Sequence, residues 1–405
     1  VPVLDRLSLV RRKLLKAADL QALLPGWRLD VHDVQGSTDL ALEATRGGTT
    51  LRLTLSPDPA KPAFRRTRRF GLSYAAAALD AETSRVLDAV AWLLARHEGA
   101  LAEAELVLLA RGYALVDGVL SARLTLGCNE RCTFCFASDE APENVPDLVA
   151  DHAQLERDLP LLARLGVRSL LLTGGEPTLV PALPGLIGAA RAAGFTDIEL
   201  QTNARRFADP TFVAALRGAL PDRAFVSFYA VDQAAYERLG RTHADLEQRF
   251  AGLAALLDLG VPTVVNLLML RDTLPRIGAF VDELQRRYGR RLDVLTFSMV
   301  APFGLAWRDP AQLPRLAEVA PALAPALLAA EARGYRPQIP AGCSLPPCVL
   351  PGLERFFQAG TSNPQQAGEG KSKPASCRRC RFDRLCPGVW SRYRELHGDG
   401  DLVPL

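Results

Sequence analysis

Through the middle of the chain, short apolar runs alternate with longer stretches in which apolar residues recur every three or four positions. The short runs are Ala122–Leu126, Ser169–Thr173, Asp197–Gln201, Ala224–Phe228, Thr263–Met269 and Asp293–Met299. Their length and apolar character predict buried strands. Helical spacing falls between them, over Asp151–Leu165, Pro184–Ala193, Pro210–Ala219, Ala244–Leu259 and Arg276–Tyr288. Strands alternating with helices predict an α/β fold with a parallel sheet covered by helices. Six such units predict a partial (β/α)6 TIM-like barrel, although a flat doubly wound sheet gives the same local pattern. In either fold ligands bind at the carboxyl ends of the strands.

The flanks follow other patterns. Residues 1–118 predict a separate α+β N-terminal domain. A first helix is expected over Leu4–Leu24, closed by Pro25-Gly26. Strand-like alternation follows at Trp27–Val31, Asp39–Glu43 and Thr50–Leu55, with Gly47-Gly48 as a turn. A long helix is expected over Asp80–His97, capped by Asp80 and stopped by Gly99. The barrel is expected over 119–336 and a small cysteine-rich extension over 337–405. That extension is rich in Pro, Gly, Ser and Gln, and Gln358–Ala375 predicts a flexible loop. Bound metal would supply the cross-links that such a segment lacks.

The chain has 405 residues and a net charge of only +3, so no overall field calls for a nucleic-acid partner. No signal-peptide pattern and no membrane-length apolar stretch is found, which predicts a cytoplasmic location. The eight cysteines change the picture. They fall in two groups, one from Cys128 to Cys135 and one from Cys343 to Cys386. Two tight groups in a large chain suggest two metal sites rather than a disulfide framework.

The first expected strand runs into Gly127-Cys128-Asn129-Glu130-Arg131-Cys132-Thr133-Phe134-Cys135. The spacing Cys-x3-Cys-x2-Cys offers three thiolates and no fourth ligand nearby. Structural zinc normally takes four protein ligands, whereas an iron–sulfur cluster with three leaves an open iron. A zinc site with a remote fourth ligand remains the alternative. The next strand ends in Gly174-Gly175-Glu176-Pro177. Glycines there would let the backbone approach a ligand closely, and Glu176 would accept from an ammonium group.

Together these motifs resemble the radical S-adenosylmethionine (SAM) superfamily over roughly residues 120–390. Its signature is Cys-x3-Cys-x-aromatic-Cys after the first barrel strand, with Phe134 at the aromatic position, followed by a Gly-Gly-Glu-Pro turn. The resemblance implies a [4Fe–4S] cluster held by Cys128, Cys132 and Cys135, whose open iron binds SAM. It implies cleavage of SAM to a 5′-deoxyadenosyl radical that takes a hydrogen atom from substrate. It also implies an external flavodoxin- or ferredoxin-like electron donor. Phe134, Gly174, Gly175, Glu176 and Pro177 would line the SAM site. By weaker resemblance so would Thr202, Asn203, Ser227 and Arg241, each of which has a plain reading as a loop residue serving local backbone groups.

The C-terminal run Cys377-x2-Cys380-x5-Cys386, with Cys348 upstream, resembles the SPASM or twitch extensions of that superfamily. No cysteine follows Cys386, which fits a one-cluster, twitch-like extension. The resemblance implies an auxiliary iron–sulfur cluster, of [4Fe–4S] type, on Cys348, Cys377, Cys380 and Cys386. Cys343 is then spare: an inert thiol, a hydrogen-atom donor to a substrate radical, or a ligand in exchange with Cys348. A structural zinc knot is the alternative for the whole group. Arg378, Arg379, Arg381 and Arg384 would lower thiolate pKa values and offset cluster charge, or simply form a basic surface.

These motifs define a cofactor rather than a substrate. Three function classes follow: maturation of a peptide by crosslinking, epimerisation or oxidation; radical modification of a small metabolite such as a sugar, nucleoside or amino acid; and non-enzymatic electron transfer. The extension is common among peptide-modifying relatives, and the N-terminal domain could capture a leader peptide by strand addition. The basic stretch Lys61, Arg65, Arg66, Arg68 and Arg69 reads first as a solvated face, with phosphate, RNA or an acidic leader as the other choices.

Overall fold

The computed structural model describes residues 24–33, 40–56, 65–67, 71–74, 85–90, 105–107, 113–116, 119–138, 149–164, 167–340, 345–358, 371–383, 386 and 388–405. Contacts divide the chain into two units. One comprises Val1–Ala122, Asp147–Leu170 and Ala189–Phe195, the other Arg123–Pro146, Leu171–Gly188 and Thr196–Leu405.

The first unit carries an antiparallel meander. Its strands are β1 Arg28–Asp33, β2 Leu40–Arg46, β3 Thr49–Ser56, β4 Arg65–Thr67, β5 Gly71–Tyr74, β6 Glu105–Val107 and β7 Tyr113–Val116, in the order β1-β2-β3-β5-β4-β6-β7. Gly47 and Gly48 turn β2 into β3, both at positive φ as the tight hairpin requires. The expected helix Leu4–Leu24 lies outside the described residues except for Leu24. Of Asp80–His97 only 85–90 is described, and it is helical. Four strands, β4 to β7, were not expected from the sequence.

Strand β8 Val119–Arg123 falls almost wholly in the first unit and β9 Ser169–Thr173 is divided between the two; in the second unit β10 Asp197–Thr202, β11 Arg223–Phe228, β12 Thr263–Met269, β13 Val294–Met299 and β14 Arg336–Gln338 follow in simple chain order. Strands β10 to β14 pair in parallel. This is the expected partial α/β barrel with the short β14 added. Strand β8 ends three residues before the expected Leu126, because the chain there leaves the ladder to form the site loop. Helices Pro210–Leu216, Glu247–Asp258 and Ile277–Tyr288 keep the expected places with trimmed ends. Helices Gln233–Gly240, Gly304–Arg308, Leu316–Ala332 and Ser391–His397 were not expected.

Side-chain alternation sorts the sheet into two faces. Ile198, Leu200, Ala224, Val226, Phe228, Val265, Leu267, Leu295 and Phe297 are fully buried. Burying each such large side chain stabilises by roughly 1.5–3 kcal/mol. The opposite face carries Gln201, Ser227, Asn266, Thr296 and Ser298 in neighbouring registers. The Thr296 and Ser298 hydroxyls both donate to Asn266 Oδ1, at 3.0 and 2.6 Å. A polar row of this kind suits the inside of a ligand-binding barrel. Contrary to the sequence reading, among the described residues one helix, Pro310–Ala332, is long and apolar enough to cross a membrane by length and composition. Its Leu316, Val319, Leu323, Leu327 and Ala330 are buried, and it packs on the helix Ile277–Tyr288.

Candidate active site

Beyond β8 the backbone keeps bonding to its neighbour. Leu124 N donates to Thr173 O at 2.8 Å, and Gly175 N and Glu176 N donate back to Thr125 O and Gly127 O at 2.6 and 2.9 Å. The Gly-Gly-Glu-Pro turn and the entry to the cysteine loop therefore lie backbone against backbone. A Cβ on Gly174, whose φ is 145°, would stand 2.5 Å from Thr125 O; one on Gly175 would stand 2.3 Å from Gly127 O. The sequence reading assigned these glycines to the approach of a ligand. What approaches them here is the cysteine loop itself.

Glu176 is 1% exposed. Its Oε1 accepts from Thr178 N, Thr178 Oγ1 and Thr202 Oγ1 at 3.1, 2.6 and 2.7 Å, and its Oε2 from Asn203 N at 2.8 Å. All four donors belong to the chain, so the carboxylate ties the ends of β9 and β10 together. Burial raises its pKa, against these hydrogen bonds, which favour the charged form. Pro177 starts the short 3-10 turn Pro177–Leu179, where its missing N–H costs nothing. Asn203 Nδ2 donates to Asn129 Oδ1 at 2.7 Å, inside the cysteine loop.

Three more segments grip that loop. Arg131 N and Thr133 N donate to Gly240 O and Leu239 O at 2.8 and 2.7 Å, at the end of the helix Gln233–Gly240. Leu305 N donates to Cys135 O at 3.0 Å, and a Cβ on Gly304 would lie 2.4 Å from the same oxygen. Thr133 Oγ1 donates to Gln312 Oε1 at 2.6 Å. Phe134 meets Tyr229 edge to face at 5.0 Å.

Beneath the loop lies a network that sequence reasoning missed. The Glu130 carboxylate accepts from Tyr236 Oη at 2.7 Å and Tyr229 Oη at 3.0 Å. It faces the Arg249 guanidinium at 3.6 Å, with side chains 2% and 1% exposed. Arg249 also donates to Asn203 O at 3.1 Å and to Ser227 O. It lies over the rings of Phe228, Tyr229 and Tyr236. Burial, the largest single influence, would lower the Arg249 pKa; Glu130 together with Tyr229, Tyr236 and Cys132 outweighs it and the net shift is upward. A signal was present in the sequence, since Arg249 continues the apolar stripe of Leu253 and Leu256.

The expected SAM-site residues thus divide. Thr202 and Asn203 meet the loop through Glu176 and Asn129. Ser227 meets it through its carbonyl on Arg249. Arg241 is the exposed left-handed cap (φ 44°) of the helix Gln233–Gly240. Burial raises the Cys132 thiol pKa well above its ordinary value, with Glu130 adding to the shift. Although Cys128 lies at the loop surface, packing around its sulfur pushes its pKa up to about 12. Buried Arg123 stands beside Cys135. Three thiols flanked by Arg123 and Arg249 fit a thiolate-held cluster, whose negative charge those cations offset. Among the described residues no three Cys, His, Asp or Glu side chains converge at the spacing of a single ion. A cubane does not require that convergence, because each cysteine takes a different iron.

In the C-terminal segment one cavity is lined by Cys348, Cys377, Cys380 and Cys386 together with Lys373 and Asp383. Phe382 N and Gly388 N donate to Cys380 Sγ and Cys386 Sγ at 3.4 and 3.3 Å. Amides aimed at sulfur fit a thiolate-bound metal or cluster. Burial pushes Cys348 up to about 11 and raises Cys377 and Cys386. Lys373 opposes the rise at Cys377 and Cys386, and Arg394 opposes it at Cys377. Arg378 and Arg379 are exposed, and Arg381 pairs with Glu354 at 2.6 Å. Arg384 and Cys343 lie outside the described residues.

Residues 123–284 match the family model of the radical SAM superfamily. Over that stretch, well under half of its length, the chain is similar to radical SAM proteins. Similar curated proteins include a probable GTP 3′,8-cyclase of Methanopyrus kandleri, 31% identical over 45% of this chain and 58% of that protein. The GTP 3′,8-cyclase of Xanthomonas campestris pv. campestris (strain B100) is 34% identical over 36% of this chain and 44% of its own length. The chain therefore spans about half the length of these two relatives. Among solved structures, anSMEcpe with bound AdoMet and the Kp18Cys peptide is 14% identical with a TM-score of 0.46, over 68% of this chain and 88% of that one. Streptococcus suis SuiB bound to S-adenosylmethionine is 16% identical with a TM-score of 0.42, over 55% and 51%. The matched residues include the cysteine loop, the Gly-Gly-Glu-Pro turn, Glu130 and Arg249.

Proposed function

We propose that this chain is a radical SAM enzyme that cleaves S-adenosylmethionine reductively and abstracts a hydrogen atom from its substrate. The observation that carries the reading is the backbone docking of Gly174–Glu176 onto the loop of Cys128, Cys132 and Cys135. It brings the three thiols and the polar ends of β9, β10 and β11 to one edge of the sheet. A [4Fe–4S] cluster bound there would deliver the electron that cleaves SAM and would hold SAM at its open iron. The chain's own part is to bind, orient and shield. Cys128, Cys132 and Cys135 hold the cluster. Phe134 and the turn Gly174–Pro177 flank SAM, and Thr202, Asn203, Ser227 and Arg241 supply polar groups around it. The polar row Asn266, Thr296 and Ser298 meets the substrate.

For the substrate, a peptide undergoing crosslinking, epimerisation or oxidation is the first reading. The antiparallel sheet of the N-terminal unit supports it. Among the described residues β1 pairs only with β2, leaving an edge that could accept an extended leader peptide. In this reading residues 1–118 recruit substrate, 119–336 perform the chemistry, and 337–405 hold an auxiliary [4Fe–4S] cluster on Cys348, Cys377, Cys380 and Cys386. Cys343 is a free thiol or hydrogen donor. A second reading, a nucleotide or other small metabolite, is favoured by the names of the curated relatives. An external flavodoxin- or ferredoxin-like donor and a cytoplasmic setting belong to both readings.

The test is anaerobic reconstitution, with iron and sulfide counted and 5′-deoxyadenosine measured under strong reductant. About eight irons and 5′-deoxyadenosine formation are expected. Activity should vanish in the combined Cys128→Ala, Cys132→Ala, Cys135→Ala variant. Intact clusters without SAM cleavage would sink the enzyme reading in favour of electron transfer. About four irons with activity retained would leave the auxiliary site to zinc.

A further inference from the structure

The buried pair under the cysteine loop has no counterpart in the roles assigned above. Glu130 stands between two of the cysteine ligands, and its Oε2 lies 3.6 Å from Cys132 Sγ. Arg249 faces the same oxygen at 3.6 Å, and both side chains are out of water. Charges this close in a low-dielectric setting act strongly on one another and on any charge that appears beside them. A cluster that takes up an electron is such a charge. A carboxylate next to it opposes reduction, and a guanidinium next to it favours reduction. Net charge and hydrogen bonding around the sulfurs are among the factors that set cluster potentials.

A purely mechanical clamp would not need this chemistry. The loop is already fastened by backbone bonds from Arg131, Thr133 and Leu305. An apolar pair would fill the space beneath without the desolvation cost of two buried charges. Instead the carboxylate takes two tyrosine hydroxyls and one guanidinium, and the guanidinium takes two carbonyls and three ring faces. Every bond holds a fixed charge at a fixed distance from Cys132.

We propose that Glu130 and Arg249 form a charge couple that sets the reduction potential of the centre held by Cys128, Cys132 and Cys135, with Arg249 raising it and Glu130 lowering it. They act through the cysteine ligand and are positioning residues. The inference rests on the radical SAM reading, and the experiment separates the two.

The experiment is a redox titration of the reconstituted protein, followed by the paramagnetic signal of the reduced cluster. The auxiliary cysteines are replaced (Cys377→Ala, Cys380→Ala) so that one centre reports. That background protein must load iron at the first site, and failure there counts against the underlying reading. Glu130→Gln keeps acceptor and donor atoms for the tyrosines but removes the charge; its potential should move upward. Arg249→Met removes the cation and should move the potential downward. Tyr236→Phe, which takes one hydroxyl from the carboxylate and spares the ion pair, should move it downward by less. Opposite shifts for Glu130→Gln and Arg249→Met support the couple. Unchanged potentials, or shifts of one sign in both, would overturn it and leave the pair a structural clamp. If Arg249→Met does not fold, Glu130→Gln against Tyr236→Phe gives the same contrast of signs.

Discussion

The barrel loop Cys128–Cys135 and the C-terminal cavity of Cys348, Cys377, Cys380 and Cys386 both gather thiols, but the backbone around them differs. The barrel loop bonds through its main chain to Leu239, Gly240 and Leu305, and the residues leading into it, Leu124, Thr125 and Gly127, to Thr173, Gly175 and Glu176, all distant in sequence. The C-terminal bonds are mostly local. Cys377 N reaches Pro374 O, Cys380 N reaches Cys377 O, and Cys386 N reaches Phe382 O. Among the described residues the strands there, Lys371–Ser372 and Val389–Trp390, have two residues each. The first site is thus shaped by the fold of the barrel. Among the described residues the second is fixed across the segment mainly by side chains, Lys373 on Asp383, Arg381 on Glu354 and Arg394 on Ser372, with Arg381 N on Leu405 O. A site of the second kind would take much of its folding free energy from a metal bound there.

The largest effect should come from breaking the docking of the first site. Gly175→Ala would place a methyl group 2.3 Å from Gly127 O, which is backbone and cannot swing aside. Overpacking of this kind costs roughly 1–3 kcal/mol or more, and here the strain falls on the cysteine loop. The expected outcome is loss of the iron bound by Cys128, Cys132 and Cys135 and of SAM cleavage, with the C-terminal iron retained. Gly185→Ala is the control. No atom lies within 4 Å of its added methyl, and in a helix the change should be neutral or stabilise by about 0.5–1 kcal/mol. Full iron in Gly175→Ala would mean that the turn does not shape the loop.

A smaller effect separates the sites from the other side. Chelation of the metal, or Cys380→Ala, should leave the barrel folded and open the C-terminal segment. Limited proteolysis read by mass spectrometry should then show new cleavage between residues 371 and 390 before any within β9 to β13. Equal protection of both regions after chelation would show that the C-terminal segment is held by its own packing.

The same contrast explains what was legible in the sequence. Strands β9 and β12 carry their expected limits, because a strand buried on both faces is a closed apolar run bounded by turn residues. The three cysteines and Gly174–Pro177 were legible because their spacing is local. Their mutual docking was not, since the glycines read equally well as space for a ligand. The Glu130–Arg249 pair joins residues more than a hundred positions apart, so no local pattern announces it. The helix Gln233–Gly240 could have been found. Asp232 caps it by accepting from Ala235 N, and Tyr236 and Leu239 share one face. Strand β8 was set too late because Leu124 and Leu126 extend an apolar run past the point where the backbone turns to the site. In the C-terminal segment only the cysteine spacing was informative. The cations that act on Cys377 and Cys386, Lys373 and Arg394, lie outside the cysteine run itself.

The smallest expected effect is one of order in pH. Only the thiolate binds iron, so a thiol with a raised pKa must lose its proton to bind, and uptake strengthens as pH rises. In the barrel loop Cys128 is pushed up to about 12 and Cys132 well above its ordinary range. In the C-terminal cavity Cys348 reaches about 11, and Cys377 and Cys386 are raised with Lys373 opposing the rise. At any pH below these values the thiolate fraction falls about tenfold for each unit of pKa. The barrel site should therefore need the higher pH for equal loading. Iron uptake against pH would be compared between two proteins. One carries Cys377→Ala and Cys380→Ala, leaving the barrel site; the other carries Cys128→Ala, Cys132→Ala and Cys135→Ala, leaving the C-terminal site. A barrel site that fills at the lower pH would mean that Arg123 and Arg249 govern its thiols more strongly than burial does. That outcome would also predict a larger potential shift in Arg249→Met than in Glu130→Gln, because the guanidinium rather than the carboxylate would then dominate the charge felt at Cys132.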